Sequence, residues 1–429
     1  MHSQPVSLET SGGEAHVAVT PIASIPTDLI TPLAAYLRVR RPGYASFLLE
    51  SVERGRLGRS SFIGSGSQLV TFEEAEATGL PVVGYLAYDY VAKLEPTVPL
   101  PVDGHGLPES RFVIAETLVR FDHGRGVAEV LYGDPDEIAR LLERDVAVPD
   151  GRAGTAGPLV RFPTRARYEE MVRRCKEHIR AGDALQIVPS QRADRPTAAS
   201  PLAIYRALRR VNPSPYLFLL ELDGLALIGS SPERLVACED GRASLCPIAG
   251  TTAPTEGDAE RLLSSGKDRA EHVMLVDLGR NDLSRVCRAG SVNVSRFMEV
   301  ERFSHVSHLV SEVVGDLRKG VTPFDVLRAC FPAGTVSGAP KVRAMQLISE
   351  LEGFRRGPYA GAVLYALPSA TMDACITLRT IVMADGVAHL QAGAGVVADS
   401  DPTAEHEECL RKLAALEAAI DLAEREFAA

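Results

Sequence analysis

Two pairs of carboxylates on two helix-like stretches are the first residues of this chain that could do chemistry together. Asp268 and Glu271 lie three residues apart in SGKDRAEHVMLVDL, and Glu405 and Glu408 repeat that spacing in TAEHEECLRKLAALEAAIDLAE. Residues at i and i+3 share a helix face, so two such faces could converge on one Mg²⁺, which binds carboxylate, water and substrate oxygens. Alternatively, both faces are solvated and Glu408 forms an ordinary i, i+4 ion pair with Lys412.

Three further features contain groups that could bind or activate a small anion. His308, in RFSHVSHLVSEVVG, is either a general base or an ordinary core or surface histidine. Arg379 lies inside the apolar run ACITLRTIVM, where a buried guanidinium needs an anionic partner from the protein or from a substrate. The run QAGAG at 391–395 could present backbone N–H groups to a carboxylate, or form a tight bend between packed strands.

The stretch FPAGTVSGAPK at 331–341 has the composition of a phosphate-binding loop but not its spacing. A P-loop needs a lysine directly after its second glycine. Here Ala339 and Pro340 separate Gly338 from Lys341. Nucleotide binding by this loop is therefore not predicted.

Composition predicts a globular protein that is not a general nucleic-acid-binding protein. The 429 residues are 45% hydrophobic and 24% charged, with a formal net charge of −10. The seven cysteines show neither zinc-site nor disulfide-framework spacing, which favours a reducing compartment. With no secretory leader pattern and no apolar run of membrane-spanning length, the expected location is cytoplasmic.

Residue patterns predict an α+β, or mixed α/β, fold in two parts. The Gly/Pro-rich stretch VPDGRAGTAGP, residues 148–158, is the candidate linker between an N-terminal subdomain at 1–147 and a second part at 159–429. Strand-like runs in the first part include ASFLLESV and PVVGYLAYDYV. The second part begins with a predicted helix in TRARYEEMVRRCKEHIRAGD, with Thr164 as its cap and Gly182 just past its end.

Taken together, the motifs resemble those of the chorismate-utilising enzymes, most closely the large-subunit group of the anthranilate synthases. The ordered words are IVPSQR, NPSPYLFLL, GSSPE, PIAGT, AEHVMLVDLGRNDL, ERFSHVSHLVS, FPAGTVSGAPK, RGPYAGAV and QAGAGVVADS. This resemblance implies two packed β-sheets flanked by helices, with an interleaved N-terminal subdomain and a chorismate-binding catalytic part at 159–429.

The resemblance also implies a Mg²⁺ site and a set of substrate ligands. Glu271 and Glu408 would bind Mg²⁺ together with the ring carboxylate of chorismate, while Asp268 and Glu405 would hold the waters of the metal. The implied ligands of the enolpyruvyl carboxylate are Tyr359, Arg379 and the N–H groups of Gly393, Ala394 and Gly395, with Lys412 as a further anion contact.

The implied chemistry uses one acid and one base. Glu233 of GSSPE matches the general acid that protonates the C4 hydroxyl as ammonia adds at C2, which requires a raised pKa. His308 matches the histidine that acts when the C2 proton is removed and pyruvate leaves. Thr251 of PIAGT and Thr335 would form hydrogen bonds around the ring oxygens.

Two positions separate the branches of this family. Gln186 stands where water-adding relatives have a lysine base, and Ala249 stands where relatives that make aminodeoxychorismate have a nucleophilic lysine. Both residues favour attack of ammonia at C2, and a glutamine amidotransferase on a separate chain is the expected ammonia source. The alternatives are release of 2-amino-2-deoxyisochorismate without loss of pyruvate and, with less support, aminodeoxychorismate synthesis.

Part of the sequence resembles the tryptophan feedback pocket of the family. The matching residues are Ser51 in LLES and Asn212, Pro213, Leu217 and Phe218 in NPSPYLF. Because Ser60 and Leu217 depart from the tyrosine and methionine usual there, weakened or absent feedback is one expectation. The alternative is that these words only pack the front region onto the core.

Overall fold

Two antiparallel β-sheets, packed face to face, form the centre of the molecule in the computed structural model. The structure describes residues 20–51, 60–145, 157–252, 254–255, 257–302 and 307–426, without the side chain of Thr251.

The strands within these ranges are short, and most belong to one of the two sheets. In chain order they are β1 (Ala23–Pro26), β2 (Ala45–Glu50), β3 (Ser60–Gly66), β4 (Leu69–Val70), β5 (Val82–Leu86), β6 (Ser110–Ile114), β7 (Thr117–Asp122), β8 (Val127–Tyr132), β9 (Val160–Phe162), β10 (Gln186–Ile187), β11 (Ser190–Pro196), β12 (Tyr216–Glu221), β13 (Leu225–Ser231), β14 (Arg234–Glu239), β15 (Arg242–Leu245), β16 (Ile248–Thr252), β17 (Asn293–Arg302), β18 (Ser307–Asp316), β19 (Gly338–Ala339), β20 (Ala362–Leu367), β21 (Thr371–Ile376), β22 (Thr380–Ala384) and β23 (Val387–Gly393).

Helices lie between the strands and at the C-terminal end of the described chain. They are α1 (Pro32–Val39), α2 (Phe72–Thr78), α3 (Val91–Leu94), α4 (Pro135–Leu142), α5 (Arg165–Arg180), α6 (Pro201–Val211), α7 (Asp258–Ser264), α8 (Gly266–Ser284), α9 (Pro323–Cys330), α10 (Gly334–Ser337), α11 (Lys341–Glu352) and α12 (Pro402–Glu426). Among the described residues, no helix combines the length and apolar content that crossing a membrane would require.

Strands from the front and the back of the chain alternate in both sheets. The order of the first sheet is β1-β8-β7-β3-β2-β12-β13-β22-β23-β11-β9, and that of the second is β16-β18-β15-β14-β21-β20-β5-β6-β4, with β17 paired to β18. Leu48 of β2 pairs with Leu219 of β12, and Tyr85 of β5 pairs with Val363 of β20. Each sheet therefore needs strands from both sides of the 148–158 stretch, of which residues 148–156 lie outside the described chain.

The core has three apolar layers. Phe47 and Phe218 of the first sheet pack against Tyr85 and Val363 of the second in the layer between the sheets. The outer face of the first sheet is covered by helices that include α1, α5, α6 and α12. The second sheet is covered by helices that include α2, α8 and α9. This arrangement confirms the predicted mixed fold of two packed sheets flanked by helices.

Two local predictions had different outcomes. The helix predicted in TRARYEEMVRRCKEHIRAGD is α5, whose first turn is capped by the Thr164 hydroxyl accepting the Arg167 N–H at 3.4 Å. The strand predicted over PVVGYLAYDYV is wrong beyond Leu86, where the chain turns into a 3₁₀ helix at Tyr88–Tyr90. The turn is fixed because the Asp89 carboxylate accepts the N–H groups of Arg356 and Gly357 at 3.2 and 3.0 Å.

Candidate active site

A cavity of about 690 Å³ is lined by residues from both sheets and from α8, α10 and α12. Its lining residues are Gln186, Val188, Pro232, Glu233, Ile248, Ala249, Gly250, Lys267, Asp268, Glu271, Leu275, His308, Thr335, Val336, Tyr359, Leu378, Arg379, Gln391, Ala392, Gly393, Gly395, Glu408, Arg411 and Lys412. Most of the residues predicted to bind or transform a substrate therefore meet in one place.

Three of those predicted residues do not contribute to this lining. Ala394 is fully buried, and its N–H donates to the Pro189 carbonyl at 3.2 Å, so that N–H is already used within the protein. Glu405 is 8% exposed and lies outside the lining. The backbone of Thr251 pairs with His308 across β16 and β18, while its side chain lies outside the described part.

Glu233 is the acidic group of the cavity. It lies in the short connection between β13 and β14, where its carbonyl accepts the Ile376 N–H at 3.0 Å. Burial raises the pKa of its carboxyl to about 8, while the Thr335 hydroxyl and the Lys412 ammonium oppose that rise. Protein atoms surround the group, yet the cavity keeps it partly accessible to water. At pH 7 it is chiefly a neutral acid and can donate a proton.

Thr335 lies in a helical turn, α10, which occupies the middle of the stretch predicted as a loop. Its hydroxyl is buried and has no hydrogen-bond partner of good geometry within the described chain, although it is close enough to Glu233 to lower the pKa of that carboxyl.

Lys341 does not line the cavity. Its ammonium donates to Asp282 at 2.8 Å and to the Cys330 carbonyl at 3.2 Å. Lys341 therefore stabilises the packing of this segment.

His308 is the imidazole of the cavity, and its orientation is fixed by the backbone. It lies on β18, and its Nδ1 is 2.9 Å from the Gly250 carbonyl oxygen. A carbonyl oxygen only accepts, so the proton of the neutral ring is on Nδ1 and Nε2 is the basic nitrogen. Burial lowers the pKa of His308, and the nearby Arg379 cation lowers it further. The ring is thus neutral at pH 7 and competent as a base.

Arg379 supplies a cation with no carboxylate beside it among the described residues. It occupies the turn between β21 and β22 with φ of 48°. Burial lowers the pKa of its guanidinium, and no acidic partner lies within ion-pair distance of it in the described ranges. A buried cation of this kind favours an anionic ligand. Arg379 lines the cavity, so an anion bound there could pair with it.

Tyr359, Gly393 and Lys412 form the wall next to Arg379. Burial raises the pKa of the Tyr359 phenol, which lies against the Gly393 backbone. The Lys412 ammonium donates to the Gly393 carbonyl at 2.8 Å and pairs with Glu408 at 2.7 Å. The i, i+4 pair considered in the sequence is therefore present, and it lines the cavity with both side chains still partly exposed.

The acidic residues of α8 and α12 share this cavity without forming a tight cluster. No three of the four predicted metal-binding carboxylates bring their oxygens within 4.8 Å of one another. Glu271 accepts a hydrogen bond from the Gln186 amide at 3.1 Å. Burial and the Glu408 charge raise the pKa of Glu405. One or two carboxylates with waters and substrate oxygens suffice for Mg²⁺, so Asp268, Glu271 and Glu408 fit that ion.

Lys267, Gln391 and Arg411 line the cavity but were not singled out in the sequence. Lys267 precedes Asp268 and Arg411 precedes Lys412 along the chain, so adjacency to predicted ligands was the available signal. Gln391 donates from Nε2 to the Ser190 hydroxyl at 2.7 Å. The two cations add positive charge around a site that is otherwise rich in carboxylates.

A buried ion pair behind the cavity holds three of its walls together. The Arg356 guanidinium pairs with Glu352 at 2.6 Å and donates to the carbonyls of Val188 and Val336 at 2.6 and 2.8 Å. It also lies 5.6 Å from the centre of the Tyr359 ring. Val188, Val336 and Tyr359 all line the cavity, so Arg356 positions the site without facing it.

The residues of the predicted feedback pocket lie at the junction of β2 and β12. Leu217 is opposite Glu50 in the sheet, and Leu217 and Phe218 are almost fully buried. The Ser51 hydroxyl donates to the Pro215 carbonyl at 3.1 Å. Asn212 accepts from the Ser230 hydroxyl through its carbonyl oxygen, and Pro213 follows it directly. The adjoining residues 52–59 lie outside the described chain.

Comparison with known proteins gives a consistent result. The sequence profile described as chorismate binding enzyme matches residues 46–418. Anthranilate synthase component 1 of Thermus thermophilus is 43% identical over 92% of this chain and 96% of the relative. The protein of the same name from Saccharomyces cerevisiae is 39% identical over 98% of this chain and 96% of the relative.

A solved structure supports the same relationship. Anthranilate synthase component I from Streptococcus pneumoniae superimposes with a TM-score of 0.75 at 33% identity, covering 91% of this chain and 99% of that one. The fold and the sequence thus point to the same group of proteins.

Proposed function

Because this chain belongs to the chorismate binding enzyme family, we propose that it is an anthranilate synthase component I, a lyase that converts chorismate and ammonia to anthranilate and pyruvate. Membership of the family is shown by the match over residues 46–418 and by relatives of about 40% identity over most of the chain. Such an enzyme serves the synthesis of tryptophan.

The observation that carries the proposed mechanism is one cavity holding an acid and a base in the protonation states that the reaction needs. Glu233 is chiefly protonated at pH 7, and His308 is neutral with Nε2 as its basic nitrogen. Glu233 protonates the C4 hydroxyl as it leaves while ammonia bonds to C2. His308 then acts as the base when the C2 proton is lost and the enolpyruvyl group departs as pyruvate, which makes the ring aromatic.

Charged and polar groups on the walls orient the substrate. Arg379 forms a charge-assisted pair with the enolpyruvyl carboxylate, with Tyr359 and the Gly393–Gly395 backbone beside it and Lys412 nearby. The Thr335 hydroxyl, which lacks a good partner within the described chain, donates to a ring oxygen. Thr251, whose backbone adjoins His308, is proposed to act in the same way.

Mg²⁺ is the proposed cofactor. Glu271 and Glu408 would hold it directly, with Asp268 at the same cavity wall and Glu405 behind it holding its waters. When bound, the ion neutralises the ring carboxylate and fixes its position. The positive charge of Lys267 and Arg411 supports dianion binding in a chain whose net charge is −10.

The ammonia is proposed to come from a glutamine amidotransferase on a separate chain. Gln186 cannot deprotonate water, but its Oε1 is buried and lacks a hydrogen-bond partner in the described chain, so it can accept an N–H of the entering ammonia. Ala249 has no nucleophile to form a covalent adduct. These two residues favour ammonia attack at C2 over the water-adding and aminodeoxychorismate-forming branches.

The direct test uses purified protein with chorismate, Mg²⁺ and an ammonium salt at mildly alkaline pH. We expect fluorescent anthranilate and an equal amount of pyruvate. An amine-bearing product without pyruvate would instead support 2-amino-2-deoxyisochorismate synthesis. No consumption of chorismate would overturn the proposed enzyme activity. Glutamine as the only nitrogen source should give no product until an amidotransferase is added.

Feedback by tryptophan is a separate proposal that rests on Ser51, Asn212, Pro213, Leu217 and Phe218. Leu217 and Phe218 are buried in the first sheet, and strand β23 of the same sheet lines the cavity. An amino acid bound near Leu217 and Phe218 would therefore act on the cavity through the packing of these strands. Adding tryptophan to the same assay measures this directly, and unchanged activity at millimolar tryptophan would assign these residues to packing alone.

A further inference from the structure

Two histidines and one aspartate meet at a place that the proposed reaction does not use. Asp194 Oδ1 lies 2.9 Å from His389 Nδ1 and 3.6 Å from His105 Nε2. The two imidazole rings lie 3.9 Å apart between their centres. One nitrogen of each histidine and one carboxylate oxygen of Asp194 all lie within 4.8 Å of one another.

Rigid structure positions each of the three side chains. Asp194 of β11 and His389 of β23 are directly paired across the first sheet, so their side chains emerge on one face. His105 lies in the irregular segment at 95–109, between α3 and β6. That segment is held in place because Arg355 donates its N–H to the Asp103 carbonyl at 2.7 Å and its Nε to the Pro101 carbonyl at 2.9 Å.

The distances from Asp194 Oδ1 to the two histidine nitrogens are compatible with a small divalent cation. Zinc binds histidine nitrogen and carboxylate oxygen at about 2.0–2.2 Å, which puts neighbouring ligand atoms of a tetrahedral site about 3.4 Å apart. The two distances to Asp194 fall on either side of that value. The side chains are 16–31% exposed, so water can complete the coordination.

We propose that His105, Asp194 and His389 form a binding site for a divalent transition-metal ion of the zinc type, which fastens the 95–109 segment to strands β11 and β23 of the first sheet. The site has two imidazoles and one carboxylate, a donor set that suits zinc, cobalt or nickel and not Mg²⁺. Its position differs from that of the cavity, and none of its three residues lines the cavity.

Arg192 is the group that opposes this binding. It lies two residues before Asp194 on β11, and its guanidinium is 5.1 Å from the Phe162 ring centre and 4.9 Å from the Phe354 ring centre. Its charge lowers the affinity for a cation by repulsion. Arg192→Met keeps much of the contact with the two rings and removes the charge, so this variant should bind the metal several-fold more tightly.

The test is a titration with Co²⁺, whose visible absorption reports nitrogen and oxygen coordination, followed by competition with Zn²⁺. The protein is first treated with a chelator, and Mg²⁺ is kept in excess so that the cavity carboxylates are occupied. We expect one tight equivalent in the unchanged protein. His105→Gln and His389→Gln should each weaken binding at least tenfold, as loss of a ligand requires.

A matched control comes from a second histidine–aspartate pair. His178 Nδ1 lies 2.8 Å from Asp183 Oδ2, with no third ligand atom close by in the described chain. His178→Gln should leave the Co²⁺ affinity unchanged. The proposal is overturned if the unchanged protein takes up no tight equivalent, or if it binds no more tightly than His105→Gln and His389→Gln.

X-ray absorption of the zinc-loaded, unchanged protein covers the case in which a variant fails to fold. Two imidazoles in the first coordination sphere support the site. Sulfur scattering would place the metal on cysteines and overturn it.

Discussion

Replacing Glu233 with glutamine should stabilise the ligand-free protein, by an amount that grows with pH. The folded protein holds the pKa of this carboxyl at about 8, against 4.5 for an ordinary glutamate, because burial disfavours the charged form. Because the pKa is raised, the folded protein holds the proton of Glu233 more tightly than the unfolded chain does. The stability that this carboxyl contributes is fully present below pH 4.5, where both states are protonated, and is lost as the pH rises through 8. Glutamine has nothing to ionise and escapes this loss.

The magnitude follows from the two pKa values. The gap between 4.5 and about 8, at about 1.4 kcal/mol for each pH unit, corresponds to an upper limit of about 5 kcal/mol. Water in the cavity and relaxation around the charge reduce the penalty. We therefore expect Glu233→Gln to exceed the unchanged protein by about 2 kcal/mol or more in free energy of unfolding at pH 8.5, and by almost nothing at pH 4.5.

Urea unfolding of both proteins at pH 4.5, 6, 7 and 8.5, without chorismate and with chelator present, measures this difference. Glu350→Gln, a change at an exposed position of α11, is the matched control and should show no pH-dependent difference. Equal stability of Glu233→Gln and the unchanged protein at every pH would refute the assignment of a protonated carboxyl. If the stabilised variant also loses anthranilate formation, the unchanged protein is less stable because it keeps a carboxyl that catalysis needs.

The remaining predictions concern the walls of the cavity. Arg356→Met should lower the free energy of unfolding by about 3–5 kcal/mol, because it leaves the Glu352 carboxylate buried without its partner. Urea unfolding measures this loss. Recovery of part of the loss in the double variant Arg356→Met/Glu352→Met would identify the unpaired charge as the cause. Gly393→Ala should raise KM for chorismate more than it lowers kcat, since a Cβ there would lie 2.8 Å from the Pro189 carbonyl oxygen and 2.9 Å from the Tyr359 hydroxyl and so displace this wall of the cavity. Gly266→Ala, where a Cβ meets nothing within 4 Å, should leave both constants unchanged, and an equal effect of the two alanines would contradict the steric argument.

Sequence reasoning predicted most where a short motif fixes both residue type and local geometry. Glu233 in GSSPE, His308 in ERFSHVSHLVS and Arg379 all line one cavity, although they come from distant segments. The strand expected around Arg379 is wrong at that residue, which lies in the turn between β21 and β22. The i, i+3 spacing also placed Asp268 and Glu271 on one face of a real helix. For that helical pair, the chemistry of the residues and the periodicity of the element carry the same information.

Tertiary contacts decided what the sequence could not predict. Glu352 and Arg356 resemble an ordinary surface pair by their spacing, yet both side chains are only 1% exposed. The Ala394 N–H looked available in QAGAG but is used by the Pro189 carbonyl. The carboxyl oxygens of α8 and α12 could not be placed because different rotamers let side chains on one helix face reach different points. Each depends on neighbours that are distant along the chain.

The pairing of early with late strands has a consequence for how this protein is made. On the ribosome, β2 can form its hydrogen bonds to β12 only after about 170 further residues have been synthesised, and β5 waits longer still for β20. Until then the early strands expose unpaired edges and apolar faces. Folding is therefore expected to be slow, with many contacts that are distant in sequence. Nascent chains that stop near residue 148 should depend on chaperones to stay soluble.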